Sequence, residues 1–241
     1  MKAMFRKWIS TVVIFIIWWG LSLVIRNEVL LPNPWDVLAR MAEMVQSAKF
    51  YSTCGITLWR MLKGLCIAGV LGILLGYTTT QCTWFGDVFY PIEMMMKTIP
   101  NISYIIIALI WIGSQNSVIV VGFFVIFPIF FANTQKAMLS LDKGYDEVAS
   151  IYAVSTWTRF SEIHIPLIRS SLYAALQTSI GLGLKVCVMA EILGRVQQGI
   201  GFQIDFCRLN LDMTGVFAWT VWIILFSVGV DTIFGLFTQK K

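Results

Sequence analysis

Long uncharged apolar runs alternate with short polar breaks along this chain, and the lengths of the runs predict helices that cross a membrane. Trp8 to Ile25 is unbroken by charge and flanked by Arg6, Lys7 and Arg26; at about 1.5 Å per residue it nearly spans a hydrocarbon core of roughly 30 Å. It reads as a retained span, because no small-x-small cleavage site follows and bulky Val24-Ile25-Arg26-Asn27 stands where a signal peptide would be cut. Further runs predict spans at about 57–79, 85–112, 117–138, 170–193 and 214–237, about six in all, with Pro100 and Gly113 punctuating the third and Pro128 kinking the fourth. Between the first two, Leu31-Pro32-Asn33-Pro34 stops the chain. Residues 35–45 then carry Val37, Leu38, Met41, Met44 and Val45 at helical spacing, which predicts an interfacial helix.

Composition agrees with the pattern. With 58% hydrophobic and 13% charged residues, against roughly 25% charged in soluble domains, the expected fold is an all-α integral membrane protein forming one domain over residues 1–241. Six spans would put both termini on one side, together with Lys2, Arg6, Lys7, Lys136, Lys143, Arg159, Arg169, Lys240 and Lys241. The excess of bases predicts that this side is cytoplasmic, although Arg26, Arg40, Lys49, Arg195 and Arg208 on the other side make the bias modest. In the second span Gly69, Gly72 and Gly76 share a helical face that allows close backbone approach, within one subunit or at a seam between two.

The chemistry that is missing narrows the function. One histidine, His164, and five cysteines without a Cys-x-x-Cys pair provide neither a metal site nor a redox pair. Cys66 and Cys187 lie inside spans, where a thiol behaves as a small hydrophobe, and His164 reads as a polar loop residue. No Gly-x-x-x-x-Gly-Lys-Ser/Thr loop occurs, so ATP-driven work would need a nucleotide site on another chain. An enzyme is therefore not expected, nor a nucleic-acid partner. The segment at about 139–168 is polar, basic and too long for a tight turn between helices.

That segment contains Glu147-Val148-Ala149-Ser150-Ile151-Tyr152-Ala153 and, after a nine-residue gap, Ile163-His164-Ile165-Pro166. It resembles the signature of permease subunits of binding-protein-dependent ABC importers, a Glu-Ala-Ala, three residues, Gly, nine residues, Ile-x-Leu-Pro pattern. Glu147, Ala149, Ile163 and Pro166 match, whereas Val148, Ala153 and Ile165 depart; at Ala153 a Gly would permit a left-handed turn that Ala resists. Leu31 to Val37, Thr57 to Gly64, Ile99-Pro100 before Ile110-Trp111-Ile112-Gly113, and Ala190-Glu191-Ile192-Leu193-Gly194 are similar, in order, to segments of the nitrate/sulfonate/taurine-type branch. That branch also covers precursors of vitamins and other small organic solutes.

The resemblance implies the type I importer permease fold in a bacterial inner membrane. It implies a pathway built with a second copy of the chain, two cytoplasmic ATPase subunits that bind ATP and Mg²⁺, and an extracytoplasmic solute-binding protein. It makes the loop the coupling element, with Asp146, Glu147, Val148, Ala149, Ile151, Tyr152, Ala153, Ile163 and Pro166 as its residues. A short helix at about 146–152, capped by Asp142 or Asp146, would insert Val148, Ile151 and Tyr152 into a groove on the ATPase, anchored by Glu147. An ion-coupled secondary transporter, or a scaffold without transport, are the competing readings. The former often has two repeated halves, and no such repeat is visible.

Four ionisable residues inside the runs are pathway candidates: Glu93, Lys97, Lys185 and Glu191. Glu93 and Lys97 stand four apart, in the order that favours a pair within one helix. Lys185 and Glu191 are six apart and face different ways. A lone Lys185 would offset the desolvation of an anionic solute, whereas a Lys185 paired to a carboxylate would be structural.

Overall fold

The computed structural model describes the backbone over residues 2–238 and side chains over 9–230 and at 232. The expected cytoplasmic bases Lys2, Arg6, Lys7, Lys240 and Lys241 lie outside the described side chains. Among the described residues every regular element is helical: α1 (Lys2–Ile25), α2 (Pro34–Val45), α3 (Ala48–Gln81), α4 (Thr83–Thr98), α5 (Asn101–Ile112), α6 (Ser114–Leu139), α7 (Gly144–Ile151), α8 (Thr156–Thr158), a π-helical turn (Arg159–His164), α9 (Ile165–Leu193), α10 (Ile200–Leu209) and α11 (Met213–Thr238).

Local chemistry sets several of these boundaries. The side chain of Asn33 accepts the amide of Trp35 at 3.1 Å and Pro34 opens α2, so one orphan donor is satisfied and φ is preset. Ser47 accepts the amide of Lys49 at the start of α3. Val37 and Met41 are the buried stripe of α2 and pack near Ala218 of α11, whereas Leu38, expected on the same face, is 44% exposed.

Five of the six expected spans are found among the described residues, one of them broken, and the side chains of the first are described only from Ile9. Four helices are long and apolar enough to cross a membrane: Ala48–Gln81, Ser114–Leu139, Thr156–Leu193 and Met213–Val230. Ile9–Ile25 is apolar but shorter. The run at 85–112, expected to be one span, is instead two helices bent by 100°. The cause is Pro100: it offers no amide to continue α4, and it holds Ile99 in an extended conformation (φ −66°, ψ 126°). Counted as one broken span, the pair brings the total to five. Pro128 lies inside α6 without interrupting it. The second half of the polar segment is helical, because the chain enters helix at Thr156 and stays so to Leu193.

The core forms where α3 packs along α6 and α6 along α9. Ile105, Val118, Val121, Ile126, Phe131, Leu184 and Cys187 are buried together there. The Gly69-Gly72-Gly76 face meets Phe130, Phe131 and Thr134 of the same subunit; a Cβ at Gly72 would stand 2.7 Å from the Cβ of Phe130. These glycines let two long helices approach inside one chain. A smaller cluster of Tyr77, Ala137, Met138 and Ile168 joins the ends of α3, α6 and the start of α9 beneath the polar segment.

Candidate functional site

Helix α7 is short and its apolar residues face outward. Ala149 is buried, while Val148, Ile151 and Tyr152 are 55%, 80% and 78% exposed; Glu147 is exposed beside them. Neither expected cap occupies the N-cap position, which is Lys143, but Asp142 Oδ1 accepts the amide of Gly144, the first residue of the helix, at 2.9 Å. Asp146 turns inward instead, its Oδ1 lying 3.1 Å from His164 Nε2 and 3.8 Å from an Arg159 guanidinium nitrogen. The outer end of Arg159 also donates to the Ser150 hydroxyl at 3.4 Å.

The helix stops after Ile151. Ala153 has φ +50°, so the position where the resembled pattern has Gly does adopt a left-handed turn. The Val154 amide reaches back to the Ala149 carbonyl at 3.0 Å, which closes a Schellman-type end and satisfies a carbonyl that the helix leaves open. The chain then re-enters helix at Thr156, with Ser155 accepting the Thr158 amide. Ile163 is half-buried in the π-helical turn and Pro166 lies exposed in the first turn of α9.

His164, expected as an ordinary loop residue, is 1% exposed. Its ring centre lies 5.5 Å from that of Tyr77 on α3, and Phe160 sits 4.7 Å from the same Tyr77. Together these contacts tether α7 to the transmembrane bundle at a point where the backbone is π-helical, a conformation frequent at functional sites. The sequence holds one signal for this burial: His164 falls between Ile163 and Ile165 in an amphipathic stretch. Its partner, Asp146, lies 18 residues away.

At the far end of the bundle a second polar group is assembled. Glu191 is fully buried and pairs with Arg60 of α3, Nη1 to Oε1 at 2.7 Å. The Thr57 hydroxyl donates to Glu191 Oε2 at 2.9 Å and accepts the amide of Ile200 at 2.8 Å, and the Gly201 amide donates to Oε2. Arg60 also donates to the Gln198 carbonyl and to the side chain of Gln115 on α6. Only Gly fits at position 199, where φ is +121° and a Cβ would collide with the Glu191 carboxylate. Glu191, expected among the pathway residues, is therefore enclosed by protein, with its carboxylate consumed by Arg60, Thr57 and Gly201. Arg60 and Thr57 were not singled out for this role. A charged residue inside a predicted span was the available signal for Arg60.

The other candidates separate. Lys97 donates to Glu93 one helical turn away on α4; Glu93 is buried and Lys97 reaches outward. Lys185 meets neither carboxylate: it is exposed on α9 and makes no ion pair among the described residues. Also among the described residues, no group of three or more His, Cys, Asp or Glu side chains could hold a metal ion.

Comparison with known proteins finds transport permeases. An aliphatic sulfonates transport permease of Escherichia coli, itself a putative assignment, is 26% identical over 175 residues, covering 72% of this chain and 66% of that protein. A formylaminopyrimidine transport permease of Halalkalibacterium halodurans is 26% identical over 207 residues, covering 85% and 82%. A nitrate import permease of Synechococcus elongatus is 25% identical over 210 residues, covering 82% and 75%. Residues 68–241, which include the α7 segment, α9 and the buried Glu191, match the family described as the inner membrane component of binding-protein-dependent transport systems, and the chain belongs to that family.

Proposed function

We propose that two copies of this chain form the translocation pathway of a bacterial importer for a small solute. An extracytoplasmic binding protein delivers the solute, and two ATPase subunits, which hold ATP and Mg²⁺, dock on α7. The chain then sits in the inner membrane with both termini and the 140–164 segment in the cytoplasm. The carrying observation is α7 itself: outside any span, it presents Val148, Ile151 and Tyr152 to solvent on a helix buried only at Ala149. Apolar residues so displayed fit a helix-in-groove contact with a partner protein. A helix resting on lipid headgroups would carry more Lys and Arg.

Glu147, exposed beside that face, provides the charged contact that orients it. The names of the relatives, for sulfonates, nitrate and formylaminopyrimidine, support a small polar solute without selecting one. Glu147→Lys reverses the anchoring charge outside the membrane, so the permease should insert and purify normally but fail to copurify with its ATPase. Normal assembly together with normal solute-stimulated hydrolysis in this variant would remove the coupling assignment.

A further inference from the structure

Two bases inside the spans are neutralised within the chain, Arg60 by Glu191 and Lys97 by Glu93, and Lys63 lies over the Trp59 ring at 5.2 Å. Lys185 has no such partner among the described residues. It lies eight residues before Leu193, the last residue of α9, hence about 12 Å from the end of the helix and inside a hydrocarbon core of roughly 30 Å. A lysine facing lipid there would cost at least roughly 2.5–3.5 kcal/mol, so this face of α9 is expected to meet water or protein.

The neighbours of Lys185 form a notch. Gln177, Gly181 and Lys185 follow one another at intervals of four, on one face of the helix. A Cβ at Gly181 would find nothing within 4 Å, and a cavity of about 390 Å³ is lined by Gln177, Thr178, Gly181, Leu182 and Lys185. The Gln177 amide makes no hydrogen bond to another described residue, whereas the Thr178 hydroxyl is spent on the Ala174 carbonyl. The opposite face of α9 is the packed one, where Gly183 meets Ile126 and Met61 and where Cys187 approaches Gly122.

From this we infer that the Gln177-Gly181-Lys185 notch is a subsite for the anionic group of the transported solute, a sulfonate, carboxylate or similar oxyanion, held by the Lys185 ammonium with Gln177 as a second donor. The inference rests on the reading of the chain as a pathway-forming subunit. Gly181 leaves room for the group, and the unneutralised ammonium offsets the loss of its hydration. A neutral or cationic solute would find no partner for Lys185.

The test needs no knowledge of the solute. In the full transporter, with two permease copies and ATPase, Gly181→Cys is placed in a background with exposed Cys66 and Cys82 changed to Ser; the remaining Cys54, Cys187 and Cys207 are buried. Burial, and then the Asp212 carboxylate, push the Cys207 thiol up to about 11, which keeps it protonated and unreactive. Two water-soluble methanethiosulfonates, one carrying a sulfonate and one a trimethylammonium, are compared in proteoliposomes. The sulfonate reagent should label the thiol introduced at position 181 at least ~10-fold faster than the cationic one, and Lys185→Met, which keeps stem volume, should erase that preference. Methanesulfonate should slow the labelling.

Equal rates with and without Lys185, or no labelling by either reagent, would overturn the assignment. If protection instead requires phosphatidylglycerol in the vesicles, the anion is a lipid headgroup and the solute subsite is likewise overturned. Should Lys185→Met yield no purified protein, the Gly181→Cys rates with Lys185 in place decide: no preference for the sulfonate reagent overturns the proposal. Failure of the ATPase to copurify would count against the importer reading and leaves the labelling ratio readable.

Discussion

At the residue scale, Ala153 is one of four described non-Gly residues held in the left-handed region. It stands at φ +50°, a region where a Cβ is penalised, and its amide and that of Val154 close the end of α7. Ala153→Gly removes the penalty but adds freedom to the unfolded chain, so the expected gain is at most about 1 kcal/mol. Slower hydrogen exchange at Val154 would register it. The expectation follows from the left-handed turn; in a continuing helix the same change would destabilise, and faster exchange would say so. Sequence alone left both conformations open, because the departure from Gly at this position argues one way and the intact spacing of the motif the other.

At the element scale, the tie between α7 and α9 matters most. Ile163 and Pro166 were legible as parts of the loop from their spacing, but the tie is His164, buried against Tyr77 and hydrogen-bonded to Asp146. Removing the ring should leave the outward face of α7 intact and loosen its connection to the bundle. His164→Ala is therefore expected to retain the ATPase on copurification and to lower the solute moved per ATP hydrolysed several-fold. His164→Gln keeps a nitrogen donor toward Asp146 and should recover part of that ratio. A variant that loses coupling and assembly together would make the residue a general packing element. Burial of a polar ring is a tertiary outcome, since a histidine between two isoleucines reads equally well as a loop residue.

At the scale of the whole molecule, Glu191 and Arg60 join α3, α6, α9 and the approach to α10 at the end opposite α7. The pair is stabilising only as a set, because each charge is removed from water by the other's surroundings. Glu191→Leu alone strands a buried guanidinium and should cost about 3–5 kcal/mol, whereas Arg60→Met combined with Glu191→Leu should regain much of it. Thermal unfolding midpoints of the two purified proteins in detergent measure the difference; equal losses would place the stability of this end elsewhere. Because the network fastens the four segments that close this end, the double variant is the one to assay for leak of small ions when the single variant fails to fold.

The membrane class, the positions of the apolar runs, the amphipathic helix after Asn33 and the short helix within the polar segment were all determined by the sequence itself. Each depends on the spacing of residues within a few helical turns, and lipid enforces hydropathy locally. What only the tertiary structure decided depends on residues far apart or on competing local choices. The base that neutralises Glu191 is not a local neighbour: packing of α3 against α9 delivered Arg60 from 131 positions away, and Lys185 has no ion pair among the described residues. The bend at Ile99-Pro100 was marked by the proline, yet its 100° angle, which turns one expected span into two short helices, is set by where α5 finds its packing against α6. Partner choice among like groups and the direction of a chain after a break are not written in hydropathy; they follow from which surfaces close together.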